Sequence, residues 1–275
     1  MSEDDKKTGG HPAGIPKTGG HPAGISKSGG MPTTVAGIDL DTIADTSEKG
    51  AVKDGERQSL DNRLYVHLQA FTGASDLKPI IELFDKSGIE AVIYADINDP
   101  QGFGLLTMNE SPEFFTTTLR DLLNSKEFEM LTLVPEYTML GRTYAIGHEA
   151  DLEDWLIHKP RRTAMNEKWK WAVWYPLRRT GAFSLLDRKA QGEILMEHGI
   201  IGRAFGSADL GHDIRLLCPG LDRNDNDFVI ALIGAELTPL SILVETMRKT
   251  KQTSTYISNM GPFFIGRAVW QSGVK

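Results

Sequence analysis

Three side chains in the C-terminal half have types and spacings suited to chemistry. His198 follows Leu186, Ala190 and Ile194 at steps of four, so it continues a mostly apolar helical face toward a core. An imidazole in that place can ligate a metal, or it can be a helix-terminal histidine stabilised by the negative end of the helix dipole. Arg215 keeps its charge at any working pH and presents forked donors, which suit an oxyanion; the ordinary alternative is a salt-bridged strand arginine. Tyr175 closes the aromatic-rich stretch Trp169 to Tyr175, where packing in a core is the ordinary role. The aspartates Asp222, Asp225 and Asp227 lack the spacing and terminal glutamate of a calcium loop and read as a capped turn. No phosphate-cradling loop, dinucleotide fingerprint or nucleophile elbow is present.

The elements that must position these groups are legible as two similar halves. Leu64 to Phe71 alternates apolar and polar residues like a half-buried strand, with His67 on the polar phase as an exposed or groove-facing side chain rather than a ligand. Leu77 to Ser87 reads as a helix capped by Asp76 and stopped by Gly88. Ile89–Ala95 and Phe103–Met108 read as strands, and Ser111-Pro112-Glu113 opens a helix to about Ser125. This is the order of a ferredoxin-like half. It returns as a strand at Trp169–Tyr175, a helix from Leu186 to His198 ended by Gly199, strands at Asp213–Cys218 and Phe228–Gly234, a helix at Pro239–Thr250, and a closing strand at Pro262–Gly266. The fold expected is an α+β barrel of two ferredoxin-like halves: 61–140, a polar connector over 141–168 that is irregular with some helix, and 169–275.

Residues 1–60 read as a flexible Gly/Pro-rich tail. Lys7-Thr8-Gly9-Gly10-His11-Pro12-Ala13-Gly14-Ile15 recurs from Lys17 to Ile25 and, in decayed form, from Lys27 to Pro32. Such sequence buries too little apolar surface to offset the entropy of ordering. The net charge of −7 argues against affinity for nucleic acid or anionic membrane. No apolar run approaches the roughly 20 residues that span a bilayer, and no hydrophobic signal core opens the chain, so a cytoplasmic location is expected. The single cysteine, Cys218, excludes internal disulfides and cysteine-based clusters; in its apolar strand it reads as an inert core thiol. Trp169, Trp171 and Trp174 read as packing under a sheet or at a subunit interface.

Four segments in order carry a family resemblance: Trp174-Tyr175-Pro176-Leu177-Arg178-Arg179, Leu195-Met196-Glu197-His198-Gly199-Ile200-Ile201-Gly202-Arg203, Gly220-Leu221-Asp222-Arg223-Asn224-Asp225-Asn226-Asp227-Phe228 and Gly261-Pro262-Phe263-Phe264-Ile265-Gly266. Together they resemble the C-terminal half of the superfamily of chlorite dismutases and coproheme decarboxylases. The resemblance implies a haem enzyme of the double ferredoxin-like fold, assembled as a ring of identical subunits, five by the family pattern. His198 then falls at the proximal iron ligand, a role that suits a neutral imidazole and needs an acceptor to orient its other nitrogen. The family places a carboxylate for that purpose in the last helix region. Here the stretch Arg248 to Thr253 has none; Gln252 is the substitute, with less imidazolate character and a higher iron reduction potential.

The same resemblance divides the chemistry. Arg215 takes the distal position, where chlorite dismutases use an arginine to hold the anion, although the spacing from His198 is longer than the pattern and His212 is an alternative distal group. Tyr175, in a Tyr-Pro-hydrophobic-x-basic pattern, resembles the tyrosine that forms a radical in coproheme decarboxylases. The Trp pair of chlorite dismutases is missing from Ala182-Phe183-Ser184-Leu185. Arg142, Arg179 and Thr253 match propionate-binding positions. The expected activity is peroxide-dependent conversion of iron-coproporphyrin III to haem b. Chlorite decomposition to chloride and oxygen, or haem binding without catalysis, are the alternatives.

Overall fold

A computed structural model describes residues 45–273 and a short strand pair upstream of them. That pair, β1 (Thr34–Val35) and β2 (Ile38–Asp39), is antiparallel with Thr34 opposite Asp39, in a unit running from Met1 to Asp45. The histidine-containing repeats lie outside the described residues.

The second unit, Thr46 to Lys275, begins with a hairpin of β3 (Glu48–Lys53) and β4 (Glu56–Leu60), so the expected tail ends well before residue 60. Gln58 ties this hairpin down by donating to the carbonyls of Glu149 and Ala150. The first half follows as β5 (Tyr65–Thr72), α1 (Lys78–Ser87), β6 (Ala91–Asp96), β7 (Phe103–Asn109), α2 (Glu113–Thr116), α3 (Thr118–Leu123) and β8 (Thr132–Arg142). The single helix expected from Ser111 is broken at Thr117, whose φ of −120° and ψ of −93° leave the helical region. A connector with a π-helical turn at Asp154–His158 and α4 (Lys159–Ala164) leads into the second half. This consists of β9 (Trp171–Arg179), α5 (Gly181–Ser184), α6 (Arg188–Ser207), β10 (His212–Leu217), β11 (Phe228–Gly234), α7 (Leu237–Arg248), a turn at Gln252–Tyr256, β12 (Ile257–Met260) and β13 (Phe264–Gln271).

The strands run β11-β10-β8-β5-β7-β6-β13-β9, and β9 pairs again with β11, which closes an antiparallel barrel. β12 extends β13 along the same edge of β9. Alternation along each strand sends one set of side chains inward, among them Leu68, Tyr94, Leu106, Met139, Trp174, Leu216, Ala231 and Phe264. Full burial of such apolar side chains is worth about 1.5–3 kcal/mol each. The connector is not loose: Leu152, Leu156, Ile157, Ala164 and Met165 are buried in the same core. Gly104 is required by this packing, because a Cβ there would stand 2.5 Å from the ring of Phe264. The outward faces pack under the helices, Ile93 and Leu105 with Phe84 of α1 and Leu119 of α3, and Val173 and Tyr175 with Leu240 and Leu243 of α7. His67 lies on the first of these outward faces, edge-on to Phe115 at 5.7 Å, and is half-buried. Among the described residues no helix is long and apolar enough to cross a membrane.

Candidate functional site

The second outward face gathers the residues singled out by their chemistry. Inward Ala172 and Trp174 leave Val173 and Tyr175 of β9 facing α6 and α7. Strand register then aligns side chains that are far apart in sequence: Arg215 of β10 is opposite Ile230 of β11, which is opposite Tyr175 of β9. Two strand spacings put Arg215 and Tyr175 about 10 Å apart at the backbone. On the other side of Tyr175, Phe263 stacks on its ring at 4.7 Å and 22°. Gly261 makes this possible, with φ 104° and a Cβ position only 3.0 Å from the Phe263 ring. Burial raises the pKa of the Tyr175 phenol; the charge of Asp213 pushes the same way and Arg248 opposes it.

α6 supplies the histidine. Asp187 caps its start by accepting from the Ala190 amide at 2.8 Å. The helix does not stop at Gly199 but continues to Ser207, because Ile201 and Phe205 carry its apolar face on against the sheet. His198 is therefore mid-helix, and the dipole of a helix end does not explain it. One ring nitrogen, Nε2, lies 3.2 Å from the Thr253 hydroxyl; the other, Nδ1, is buried with no partner. Burial lowers the histidine's pKa, Glu197 opposes this, and Arg179 and Arg215 reinforce it. One turn further along the same face, a Cβ on Gly202 would meet nothing within 4 Å. Gln252 is buried close by in sequence, and the side chain within hydrogen-bond distance of the His198 ring is that of Thr253. The family pattern assigns Thr253 to a propionate instead.

The cations differ in how they are matched. Arg179 is sandwiched between Phe183 at 4.2 Å and Phe228 at 4.7 Å, and its Nε is buried without a partner. Among the described residues no carboxylate forms an ion pair with it; Asp227 instead accepts from its backbone amide at 2.6 Å. Burial lowers its pKa, with Tyr144 and Asp227 opposing. Arg142 has a different situation: its Nη1 pairs with Glu48 at 2.7 Å, so its charge has a partner within the protein. Arg215 donates from Nε to Asp213 at 2.8 Å. His212, the alternative distal group, stacks on Trp169 at 3.5 Å and bonds Asp209 at 2.9 Å, and so is engaged elsewhere. Asp222 accepts from Asn224 and Asn226, which makes the aspartate-rich segment a capped turn. Cys218 is buried in the barrel, its thiol pushed up to about 12 by burial.

Phe263, Phe228, Tyr144 and Trp155 complete the surroundings; the sequence assigns none of them a role, although Phe228 and Phe263 lie within the segments that carry the family resemblance. The first two follow recognisable turns at Gly261-Pro262 and Asn226-Asp227, a signal that could have marked them. Tyr144 feels both Arg179 and Arg215. Trp155 comes from the connector and carries no sequence signal. The assembled face offers an imidazole with a spare buried nitrogen, a phenol and one guanidinium, that of Arg179, without an ion pair among the described residues.

Comparison with known proteins bears on the fold and the family. No curated protein sequence matches the chain. Among solved structures, a haem-binding protein from Thermus thermophilus superposes with a TM-score of 0.60 at 17% identity, over 75% of this chain and 91% of that one. A mutant of the chlorite dismutase from Candidatus Nitrospira defluvii gives a TM-score of 0.59 at 14% identity, over 76% and 92%. Identities this low speak for the fold. The sequence profile described as chlorite dismutase matches residues 95–269, from β6 through nearly all of β13 and across every element that builds the site, and on that match the chain belongs to the chlorite dismutase family.

Proposed function

We propose that this protein is an iron-porphyrin enzyme that converts iron-coproporphyrin III to haem b with peroxide. The observation that carries this reading is the pairing of His198, with one buried nitrogen left over, and Arg179, a half-buried guanidinium without a carboxylate. Both are costly to leave unmatched, and an iron held by His198 and a porphyrin carboxylate held by Arg179 would meet both. When bound, iron porphyrin supplies one-electron oxidation driven by peroxide.

The chain's own groups have defined tasks in this reading. His198 stays neutral because burial and two arginines oppose its protonation, as an iron ligand requires. Thr253 orients the ring. Arg179 holds a propionate between two phenylalanine rings. Tyr175 has its proton held on by burial, so its oxidation removes electron and proton together. Each propionate arm then loses carbon dioxide, two electrons and one proton to become a vinyl group, and one peroxide takes up the electrons. A ring of five identical subunits and a cytoplasmic location belong to the same proposal.

A second reading, chlorite decomposition, is favoured by Arg215, which stands in the same register row as Tyr175. Mass spectrometry of the protein loaded with iron-coproporphyrin and titrated with peroxide separates the two. Stepwise loss of two carboxyl groups, abolished in Tyr175→Phe, is the expected result. Normal turnover in Tyr175→Phe rejects the mechanism. Sustained oxygen release from chlorite that collapses in Arg215→Ala establishes the second reading instead. A Soret band lost in His198→Ala, with neither reaction, leaves a haem-binding protein.

A further inference from the structure

Two consecutive side chains of α6 reach the turn that follows α7. Successive residues on a helix point about 100° apart, so Glu197 and His198 share one side of α6. The Glu197 carboxylate accepts from the Lys251 amide at 2.7 Å, and the His198 ring lies 3.2 Å from the Thr253 hydroxyl. Glu197 has no ordinary use on its own helix. Its neighbours three and four residues away are Glu193, Ile194, Ile200 and Ile201, none of them a cation to pair with. Among the described residues it enters no ion pair.

The Lys251 amide needs such an acceptor. α7 ends at Arg248 with tightened bonds, from Lys249 to the Thr246 carbonyl and from Thr250 to that of Met247. Lys251 then opens the next helical turn, where the first amides have no partner inside the turn. A carboxylate is a strong acceptor for a group in that place. The far end of the turn is held as well, since the Tyr256 carbonyl accepts from the Thr180 amide at the end of β9 at 2.7 Å. Between these anchors runs Gln252–Tyr256, wound wider than an α-helix. The winding decides which side chain faces α6. Here it is Thr253, whose hydroxyl stands between Thr250 Oγ1 at 3.4 Å and the His198 ring. A slip of one residue would turn it away by about 100°.

We propose that Glu197 is the positioning residue of the imidazole: by holding the Lys251 amide it fixes the winding of the Gln252–Tyr256 turn and so places the Thr253 hydroxyl against His198. It acts through the turn and needs an acceptor at position 197 rather than a charge. The linkage is a property of the chain alone, and its bearing on iron rests on His198 being the axial ligand.

The test reads the ring nitrogens of His198 by nitrogen NMR in the full, porphyrin-free chain at about pH 8, where an imidazole is neutral. Glu197→Ala is expected to shift Nε2 in the same direction and to about the same extent as Thr253→Val, and the double variant no further. Glu197→Gln keeps an acceptor and restores the wild-type signal. Hydrogen exchange of the Lys251 amide rises roughly tenfold or more in Glu197→Ala, the loss of one charge-assisted hydrogen bond. Glu197 is exposed, so its replacement leaves the fold intact, and the near-ultraviolet circular dichroism of each variant checks this. In protein loaded with iron-coproporphyrin III and reduced, the iron–histidine stretching band moves in Glu197→Ala and returns in Glu197→Gln. An Nε2 signal or a stretching band unmoved in Glu197→Ala, additive shifts in the double variant, or a Glu197→Gln that behaves like Glu197→Ala overturns the proposal. A wild-type protein without that band would reject the reading of His198, while the porphyrin-free result would still decide the role of Glu197.

Discussion

The hydroxyl of Thr253 lies 3.2 Å from Nε2 of His198, so a neutral group orients the imidazole where the family pattern has a carboxylate. A hydroxyl adds no charge to stabilise a cationic ring, and burial with two nearby arginines already disfavours one. Thr253→Glu is expected to raise the pKa of His198, read by imidazole resonances in the porphyrin-free chain. Thr253→Val leaves the pKa low and loosens the ring. A carboxylate at 253 that leaves the titration unmoved would show that the threonine does not face the ring in solution.

Arg179 gives opposite expectations for the empty and the loaded protein. A guanidinium among aromatic rings without an ion-pair partner contributes little to folding, and replacing such a charge by an apolar side chain of similar volume is neutral or stabilising. Arg179→Met is expected to leave porphyrin-free stability unchanged or raise it by about 1 kcal/mol, while binding of iron-coproporphyrin weakens by roughly tenfold or more. Urea denaturation and Soret titration measure the two. A loss of more than about 2 kcal/mol in the empty protein would mark the arginine as structural instead.

Gly261 positions Phe263 against Tyr175. Alanine there meets both a positive φ of 104° and the Phe263 ring at 3.0 Å. Gly261→Ala should cost about 1–3 kcal/mol and diminish the near-ultraviolet signal of the stacked pair. Retention of both would show that the turn has another conformation within reach.

His67 ties stability to pH. Its pKa falls from an ordinary value of 6.5 to about 4 through burial. The unfolded chain therefore binds the proton more readily over that interval. The contribution is complete above about pH 6.5 and is lost as pH falls through about 4, to the extent of roughly 3 kcal/mol. In His67→Gln that part of the acid sensitivity disappears, and denaturation at pH 7 and pH 4.5 measures the difference. Equal pH slopes in both proteins would mean that the ring reaches water.

Much of this architecture is legible in local patterns. β11 matches its sequence boundaries because Phe228–Gly234 is a continuous apolar run bounded by a polar turn. β8 is hidden because Pro135-Glu136 interrupts alternation where its register with β5 shifts. α6 reads as shorter than it is because Gly199 resembles a stop; the roughly 1 kcal/mol that glycine costs inside a helix is outweighed by the packing of Ile201 and Phe205. His198, Tyr175, Arg179 and Arg215 are all nameable in advance, yet their shared face depends on strand register through Ile230, which no local signal encodes. The choice of Thr253 over Gln252 depends on the phase of a π-helical turn, and the Glu48 partner of Arg142 on a hairpin that reads as tail.

β9 is hydrogen-bonded along both edges, to β11 on one side and to β12 and β13 on the other. Its amides can be released only by separating the barrel, so in terms of native-state fluctuation this strand belongs to the last segment to open. α6 has no such lock: it is a single helix resting on the sheet, with Ile194 its one fully buried side chain. β9 and α6 thus differ in compliance. A bulky planar guest would enter and leave by outward excursions of α6, carrying His198 with it, while Tyr175 and its strand stay still.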